Sequence, residues 1–189
     1  MALNANRLNI LIVGASGKLG ALITKHALNR PELSVNILVR DPAKDKELTE
    51  AVEKAGGKVF KGDITQPETL VEATKNIHTV ISAINALDDK IVVDGQLNLL
   101  NASINNGVKR FVPSDFGVNY TKFTREELGR TAIISPKLTF EDQLERAAIT
   151  KLYFKQGAII ETFFQLQAQG FGYWGEDSFR IQFTSYDNI

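Results

Sequence analysis

The sequence predicts an α/β fold in which helices cover both faces of a doubly wound parallel sheet. Three observations predict this fold class. Strand-like apolar runs alternate with amphipathic helical stretches, the apolar runs are continuous and rich in β-branched residues, and a glycine-rich turn follows the first run. Right-handed crossovers with short connections then give the strand order 3-2-1-4-5-6. A chain of 189 residues has the size of one such domain.

The first half of the chain repeats one unit, a strand followed by a helix, three times. Each predicted helix carries apolar residues every three or four positions. Pro31 ends the first helix, Gly56 and Gly57 end the second, and Pro67 lies in the first turn of the third. In chain order the predicted elements are strand 8–13, helix 17–30, strand 34–40, helix 45–57, strand 58–63 and helix 66–76.

The second half continues the alternation. HTVISAIN (78–85) is a continuous apolar run, which is typical of a strand buried on both faces. The elements predicted after it are a long helix from about Asp88 to Asn106, the strand KRFVPSDFG (109–117), a polar stretch to Ser135, a helix from about Thr139 to Gln156 and the strand AIIETFF (158–164).

The composition excludes several classes of function. Lys+Arg and Asp+Glu both number 22, so no charged surface for nucleic acid is indicated. The absence of cysteine excludes disulfides, thiolate metal sites and a cysteine nucleophile, and the two histidines lie far apart, so we expect no metal site. The first apolar run is too short for a membrane span or a secretory signal. We therefore expect a cytoplasmic protein with no nucleic-acid or membrane partner, and the oligomeric state stays open.

Three glycines lie at intervals of three directly after the first predicted strand. In GASGKLG, Gly14 permits a tight turn, Gly17 lets the backbone approach a pyrophosphate, and Gly20 lets the helix lie against the strand. The spacing differs from the standard Gly-x-Gly-x-x-Gly of dinucleotide-binding Rossmann folds, and a glycine turn without a ligand is the alternative. The predicted phosphate-binding residues are Gly14, Ala15, Ser16, Gly17, Lys18, Leu19 and Gly20.

The ends of the next strands indicate which dinucleotide binds. Arg40 ends strand two, where an arginine accommodates a 2′-phosphate, and Lys44 follows, so we expect NADP(H) rather than NAD(H). Asp41 complicates this prediction, and a solvated arginine is the alternative. Asp63, followed by Ile64, ends strand three and either lines the adenine or caps the next helix. Small residues at the end of strand four leave room for the cofactor, and we include Ser82, Ala83 and Ile84.

Candidate catalytic residues are scarce. Many hydride-transferring enzymes of this architecture use a Tyr and a Lys four residues apart, and no tyrosine in this chain has such a lysine. The adjacent carboxylates Glu141 and Asp142 do not share a helix face, so a solvated helix start explains them better than acid–base catalysis does.

Several segments together resemble a known family. ILIVGASGKLG, LVR, GDITQPETLVEA, VISAI, GVKRFVPSDFG and the later YWG and FTSYDNI are similar to the NmrA-like and isoflavone-reductase-like branch of the short-chain dehydrogenase superfamily, especially its fungal-type members. The resemblance implies an NADP(H)-binding fold in which Gly14, Gly17 and Gly20 hold the pyrophosphate. It also implies that Arg40 and Lys44 bind the 2′-phosphate and that Phe116 lies near the nicotinamide.

The chain departs from this family at two points. The position of the family's catalytic lysine holds Gln143, or Arg146 with a different gap, so catalysis would depend on Lys137, Lys151, a tyrosine or solvent. Family members also continue well past the last residue of this sequence. We therefore expect residues 1–165 to form the NAD(P)-binding Rossmann domain and residues 166–189 to begin a substrate-binding region whose larger part is missing.

Two functions follow from the resemblance. The first is an NADPH-dependent oxidoreductase of the isoflavone-reductase-like type that acts on a small carbonyl or aromatic compound. The second is a non-catalytic NADP(H) sensor that acts through a regulatory protein partner. The missing lysine favours the sensor, and the reductase-like VPSDFG segment favours the enzyme.

Overall fold

The computed structural model describes residues 7–84, 88–117, 119, 123–129, 134–155, 158–159 and 183–185. Six parallel strands form one sheet in the order β3-β2-β1-β4-β5-β6, so the predicted doubly wound arrangement is confirmed. These strands are β1 Leu8–Val13, β2 Leu33–Val39, β3 Val59–Lys61, β4 Thr79–Ser82, β5 Arg110–Val112 and β6 Thr150–Lys151.

Helices follow the strands in the order expected for this sheet. They are α1 Lys18–Leu28, α2 Lys46–Lys54, α3 Leu70–Ala73, α4 Gln96–Asn105, α5 Arg125–Gly129 and α6 Ser135–Arg146. A 3₁₀ turn at Pro67–Thr69 leads into α3, and a π-helical segment at Lys90–Gly95 leads into α4. The predicted stop of the second helix is confirmed, because Gly56 adopts a positive φ of 82° just after α2.

Most of the described core residues belong to two large apolar clusters, to which alternate residues of β1 contribute, and a small third cluster contains Leu128 and Leu138. Leu11 belongs to one cluster, together with residues of β4, β5, α4 and α6, and Ile12 belongs to the other, together with residues of β2, α1 and α2. Both side chains are fully buried. Successive side chains of a strand point to opposite faces, so a central strand that is covered on both sides reads as one continuous apolar run.

The sixth strand and the helix before it differ from the prediction. The helix is α6, which begins at Ser135 and ends at Arg146 rather than running to Gln156, and β6 follows at Thr150–Lys151. Ile149, Thr150 and the apolar residues after them favour a strand, and pairing of β6 with β5 outweighs the helical periodicity.

The segment predicted as strand six takes another place. Its first two residues, Ala158–Ile159 (β7), pair in parallel with Phe183–Thr184 (β8) in a separate two-stranded sheet, and its remainder lies outside the described residues. The predicted polar stretch contains α5, which the sequence analysis missed. The predicted domain boundary at residue 165 also lies outside the described residues.

Candidate functional site

A tight glycine turn joins β1 to α1. Gly14 follows the last residue of β1 and adopts a φ of 81°. The Gly17 N–H donates to the Gly14 carbonyl at 3.0 Å, and the Ala21 N–H donates to the Gly17 carbonyl at 2.8 Å, so α1 starts within one turn of the strand. The first N–H groups of a helix have no acceptor within the helix and carry its positive dipole end, which favours a phosphate.

Close backbone contacts at this turn require glycine. A Cβ atom on Gly14 would lie 2.7 Å from the Ala83 carbonyl oxygen just beyond β4, and one on Gly20 would overlap the Gly14 carbonyl. Ala15 is buried beneath the turn, Leu19 is half-buried, and Ser16, Gly17 and Lys18 are exposed. The turn therefore lies directly beside the carboxyl end of β4, with its outer side open to solvent.

Arg40 and Lys44 are both exposed just beyond the carboxyl end of β2. Asp41, which complicated the cofactor prediction, accepts the Ala43 N–H on its Oδ1 at 3.2 Å. Its carboxylate is thus engaged in a local turn, and no ion pair between it and Arg40 is present in the part of the chain that the structure describes.

Asp63 follows β3 and forms a local turn rather than a helix cap. Its Oδ1 accepts the Thr65 N–H at 2.9 Å and the Thr65 hydroxyl at 2.8 Å. The backbone hydrogen bond from Thr65 is the main reason why the pKa of Asp63 is lowered, and the charge of Arg40 contributes to the lowering. Ile64 is buried, and its carbonyl accepts the Asn98 amide at 3.0 Å. This edge therefore holds a carboxylate ionised at neutral pH.

The residues at the end of β4 form the middle of the edge. Ser82 is fully buried, and its Oγ has no hydrogen-bond partner among the described residues, so its side chain lies within the protein layer rather than at the surface. Ala83 is buried beside Gly14, and Ile84 is half-buried. The Ile84 carbonyl accepts the Ser114 hydroxyl, which joins the carboxyl ends of β4 and β5.

A group of ionisable side chains that the sequence did not predict lies next along the edge. Asp115 is 6% exposed and lies three residues beyond β5. Its carboxylate contacts two ammonium groups, Lys155 in a close ion pair and Lys137 of α6 at 3.8 Å from Nζ to Oδ1. Glu141 and Tyr153 line a small pocket together with Asp115 and Lys137. We call these five residues the Asp115 cluster.

Burial perturbs the protonation of this cluster. Desolvation lowers the pKa of Lys137, and it raises the pKa of Glu141 and of Tyr153. Glu141 therefore does not stand at a solvated helix start as expected, because α6 begins six residues earlier and turns this side chain toward the pocket. Groups with perturbed pKa values in a cleft are candidates for proton transfer.

Phe116 lies beside the Asp115 cluster and carries the aromatic surface of the edge. Its ring stacks on Phe154 with 6.2 Å between centroids and 12° between planes. Phe154 is 54% exposed, so an aromatic face is presented at this end of the sheet.

The two positions at which the resemblance places a catalytic lysine do not enter the site. Gln143 and Arg146 are both exposed on α6, whereas Lys137, Phe140, Glu141 and Leu144 turn inward. Lys151 is also held away from the edge, because its Nζ donates to the Glu145 carbonyl at 2.8 Å.

The predicted residues at the ends of β1 to β5 thus come together along one edge of the sheet. Across the described ranges, no group of three or more His, Asp or Glu residues is arranged to hold a metal ion. Among the helices the structure describes, none has both the length and the apolar character needed to cross a bilayer. The edge offers a glycine turn, a helix N-terminus, exposed cations and an aromatic face, which together fit a dinucleotide with an additional phosphate.

Comparison with known proteins gives three likenesses and a family match. The model of the NmrA-like family matches residues 6–177. The bifunctional pinoresinol-lariciresinol reductase of Forsythia intermedia is 32% identical over 160 residues, which cover 76% of this chain and 48% of that protein. A crystal structure of isoflavone reductase superposes with a TM-score of 0.74 at 24% identity and covers 96% of this chain and 62% of its own.

A third likeness is the triphenylmethane reductase of Citrobacter sp., whose crystal structure is a complex with NADP(H). It has a TM-score of 0.67 at 20% identity and covers 82% of this chain and 52% of that one. At these identities the two solved structures show the shared fold. The chain spans about half the length of the reductase that it matches in sequence.

Proposed function

The chain belongs to the NmrA-like family, and from this premise we propose that it binds NADP(H) and uses it to reduce a small carbonyl or aromatic compound. The observation that carries the proposal is the turn at Gly14, which packs against the Ala83 carbonyl and opens the N-terminus of α1 at the carboxyl edge of the sheet. In doubly wound sheets, dinucleotides bind in the crevice outside the carboxyl ends of the strands, at the point where the strand order reverses.

The predicted cofactor-binding residues have the following roles in this proposal, except Ser82, whose side chain is buried within the protein layer. The Gly14–Gly20 turn and the N-terminus of α1 hold the pyrophosphate, and Arg40 with Lys44 binds the 2′-phosphate. Asp63 and Ile64 flank the adenine, Ala83 and Ile84 form the floor under the cofactor, and Phe116 lies beside the nicotinamide. When bound, NADPH supplies the hydride, and the chain's own residues bind, orient and protonate the substrate.

The relatives support this reading of the site. The Forsythia protein is named a reductase, and the Citrobacter reductase was crystallised with NADP(H). We propose that residues 1–165 hold the cofactor and that residues 166–189 begin the region that contacts the substrate.

Nucleotide titration of the parent chain and Arg40→Ala tests the cofactor site. We expect NADPH to bind more tightly than NADH, and the variant to lose about 10- to 100-fold in NADPH affinity, since a hydrogen bond to a charged group contributes about 1.5–3 kcal/mol. NADH affinity should be unchanged. Arg30→Ala, which removes an exposed arginine after α1, is the matched control. Equal losses for both nucleotides would contradict a 2′-phosphate contact, and no saturable binding would contradict the proposal itself.

A second candidate function is an NADP(H) sensor that acts through a protein partner. It is favoured by Gln143 and Arg146, which stand exposed where the resemblance expects a catalytic lysine. Oxidation of NADPH by the parent chain, followed at 340 nm with an aromatic ketone, an enone and a quinone, separates the two candidates. A sensor binds NADPH without turnover, whereas a reductase consumes it.

A further inference from the structure

We propose that Lys137 is the proton donor of this site and that Asp115 and Lys155 are positioning residues that hold its ammonium group at the carboxyl edge. The inference rests on the proposed reductase function and assigns a residue to its proton-transfer step.

Three separate elements bring these side chains together. Asp115 comes from the segment after β5, Lys137 from the first turn of α6, and Lys155 from the segment after β6. The side chain of Asp115 is 8% exposed, and those of Lys137 and Lys155 are 26% and 21% exposed. Such a buried carboxylate is stable only when it is paired, so the two lysines are held in defined positions.

The two lysines are not equivalent. Lys155 forms the close ion pair with Asp115, whereas the Nζ of Lys137 lies 3.8 Å from Oδ1, beyond hydrogen-bond distance. An ammonium group has three N–H donors. Lys137 is therefore attracted to the carboxylate, while its N–H groups can still donate a hydrogen bond to a substrate oxygen.

Lys137 also lies where a substrate would be expected. Its Nζ is 3.9 Å from the position that a Cβ on Gly117 would occupy, and Gly117 directly follows Phe116. The proposed function places the nicotinamide beside Phe116. The carbonyl oxygen of a substrate bound next to the nicotinamide would thus be within reach of Lys137.

Among the described residues, the other candidates for the proton donor are engaged elsewhere or lack an acidic proton. Lys151 donates to the Glu145 carbonyl, and the Tyr153 hydroxyl donates to the Glu145 carboxylate at 2.9 Å. Burial and that carboxylate raise the pKa of Tyr153, which makes its phenol a poorer acid. Gln143 has no ionisable proton and is exposed.

The surroundings of Lys137 make it a better acid than a surface lysine. Burial lowers its pKa, the Lys155 cation lowers it further, and the Asp115 carboxylate opposes both effects. Glu141 and Tyr153 are the other titratable groups that line this pocket. A general acid is most efficient when its pKa is near the working pH, so a lowered lysine pKa favours proton transfer.

The proposed step is the reduction of a carbonyl group by a hydride and a proton. Hydride from NADPH forms the new C–H bond, the C=O π bond breaks, and its electron pair moves to oxygen. The Lys137 N–H bond breaks as the O–H bond forms, which leaves a neutral amine that takes a proton from water. The substrate gains two electrons and NADPH is oxidised to NADP⁺.

Variants of Lys137 test the assignment directly. Lys137→Met should keep its NADPH affinity within about twofold and lose about 10²–10⁴ in kcat, the usual contribution of a positioned acid. Lys137→Arg should also be slow, because a guanidinium does not release its proton. The matched control is Lys151→Met, whose lysine is 20% exposed but lies off the edge, and its kcat should match that of the parent. Unchanged turnover in Lys137→Met would overturn the assignment.

The two positioning residues give a signature that a purely structural role would not. The kcat of the parent should fall at high pH as Lys137 loses its proton. Asp115→Asn should move this limb to lower pH and Lys155→Met to higher pH, because the carboxylate raises and the neighbouring cation lowers the pKa of Lys137.

NMR titration of ¹³C-labelled lysine should show the same opposite shifts for Lys137 without any substrate. Shifts in the same direction, or none, would contradict the positioning roles.

Two outcomes separate this assignment from the proposed function. If the parent chain binds NADPH but turns over none of the three substrate types, the reductase function fails and this assignment fails with it. If the parent chain turns over a substrate and Lys137→Met has the same kcat, the assignment alone fails.

Discussion

At the scale of single residues, Gly14 combines a left-handed backbone with a contact that leaves no room for a side chain. Its φ is 81°, and a Cβ would lie 2.7 Å from the Ala83 carbonyl oxygen. Gly56 has nearly the same φ, 82°, with no heavy atom within 4 Å of its Cβ position. A side chain at Gly56 would therefore meet only the strain of the backbone conformation, whereas a side chain at Gly14 would meet that strain and a steric clash.

Alanine substitutions at these glycines should therefore differ. Gly56→Ala should destabilise by about 1–2 kcal/mol, the cost of a left-handed alanine. Gly14→Ala adds an overpacking cost of about 1–3 kcal/mol and should also abolish NADPH binding. Urea unfolding and NADPH titration of both variants check this. Equal destabilisation with intact binding in Gly14→Ala would contradict the proposed role of the turn.

Glu141 is a residue whose ionisation opposes folding. Burial is the main reason why its pKa lies above the ordinary 4.5, and the neighbouring Asp115 charge contributes. The folded state thus binds this proton more tightly than the unfolded state does. Stability should decrease as the pH rises from 4.5 through the folded-state pKa, and the cost persists above it.

Glu141→Gln should remove that cost. We expect the variant to have a higher Tm than the parent at neutral pH, with the difference shrinking as the pH falls through 4.5 and the carboxyl group becomes protonated in both states. Thermal unfolding monitored by circular dichroism from pH 4 to 8 measures it. Glu53→Gln on the exposed side of α2 controls for the loss of a surface charge. A Tm difference that does not depend on pH would contradict this explanation.

At the scale of elements, Gln96 joins α4 to the carboxyl end of β5. The residue is 1% exposed and follows the π-helical segment. Its Oε1 accepts the Ser114 N–H at 2.9 Å, and its Nε2 donates to the Val92 carbonyl at 2.8 Å. Because Ser114 directly precedes Asp115, this contact helps to set the position of the Asp115 cluster.

Gln96→Met, which keeps the volume but removes the acceptor, should destabilise by about 1–3 kcal/mol because it leaves a buried Ser114 N–H without its partner. Hydrogen exchange should accelerate more at the Ser114 amide than at the amides of β5. Asn101→Ala, an exposed position on the same helix, should change stability by no more than about 0.5 kcal/mol. Unaltered exchange at Ser114 would show that this hydrogen bond does not hold the segment.

At the scale of the whole molecule, one sheet supports two cores. Leu11 and Ile12 are adjacent in β1, each is fully buried, and each belongs to a different cluster. Since the sheet is common to both, we expect loss of either core to unfold the other.

Leu11→Ala and Ile12→Ala should each cost about 2–5 kcal/mol through lost burial and a cavity. Both variants should unfold in urea in a single transition, with core amides on both faces of the sheet losing hydrogen-exchange protection together. Two separate transitions in either variant would show that the two cores do not unfold together.

Local patterns were sufficient for the order of the main elements and for much of the candidate edge. The continuous apolar runs, the glycine spacing and the strand-end positions of Arg40, Asp63 and Ala83 all follow from short stretches of sequence. Such features are readable because strand periodicity, turn conformation and the start of a helix depend on neighbouring residues.

Where local preferences competed, the sequence misled. The helix expected to run to Gln156 ends at Arg146, because residues around Thr150 gain more from pairing with β5 than from another helical turn. Glu141 and Asp142 have different surroundings, as their adjacency predicted. The expected solvated helix start was wrong for Glu141, which turns to the pocket while Asp142 pairs with Arg125.

The sequence by itself determined the doubly wound sheet and the glycine turn at its edge, because both arise from periodicity and from backbone conformations that few residues adopt. Only the tertiary structure decided that Lys137, rather than Lys151 or Gln143, faces the edge. Asp115, Lys137 and Lys155 are far apart in the chain and meet because β6 pairs with β5 and Phe140 of α6 packs on Phe111 of β5. Burial and charge at that meeting point are properties of the packed molecule, and no local pattern encodes them.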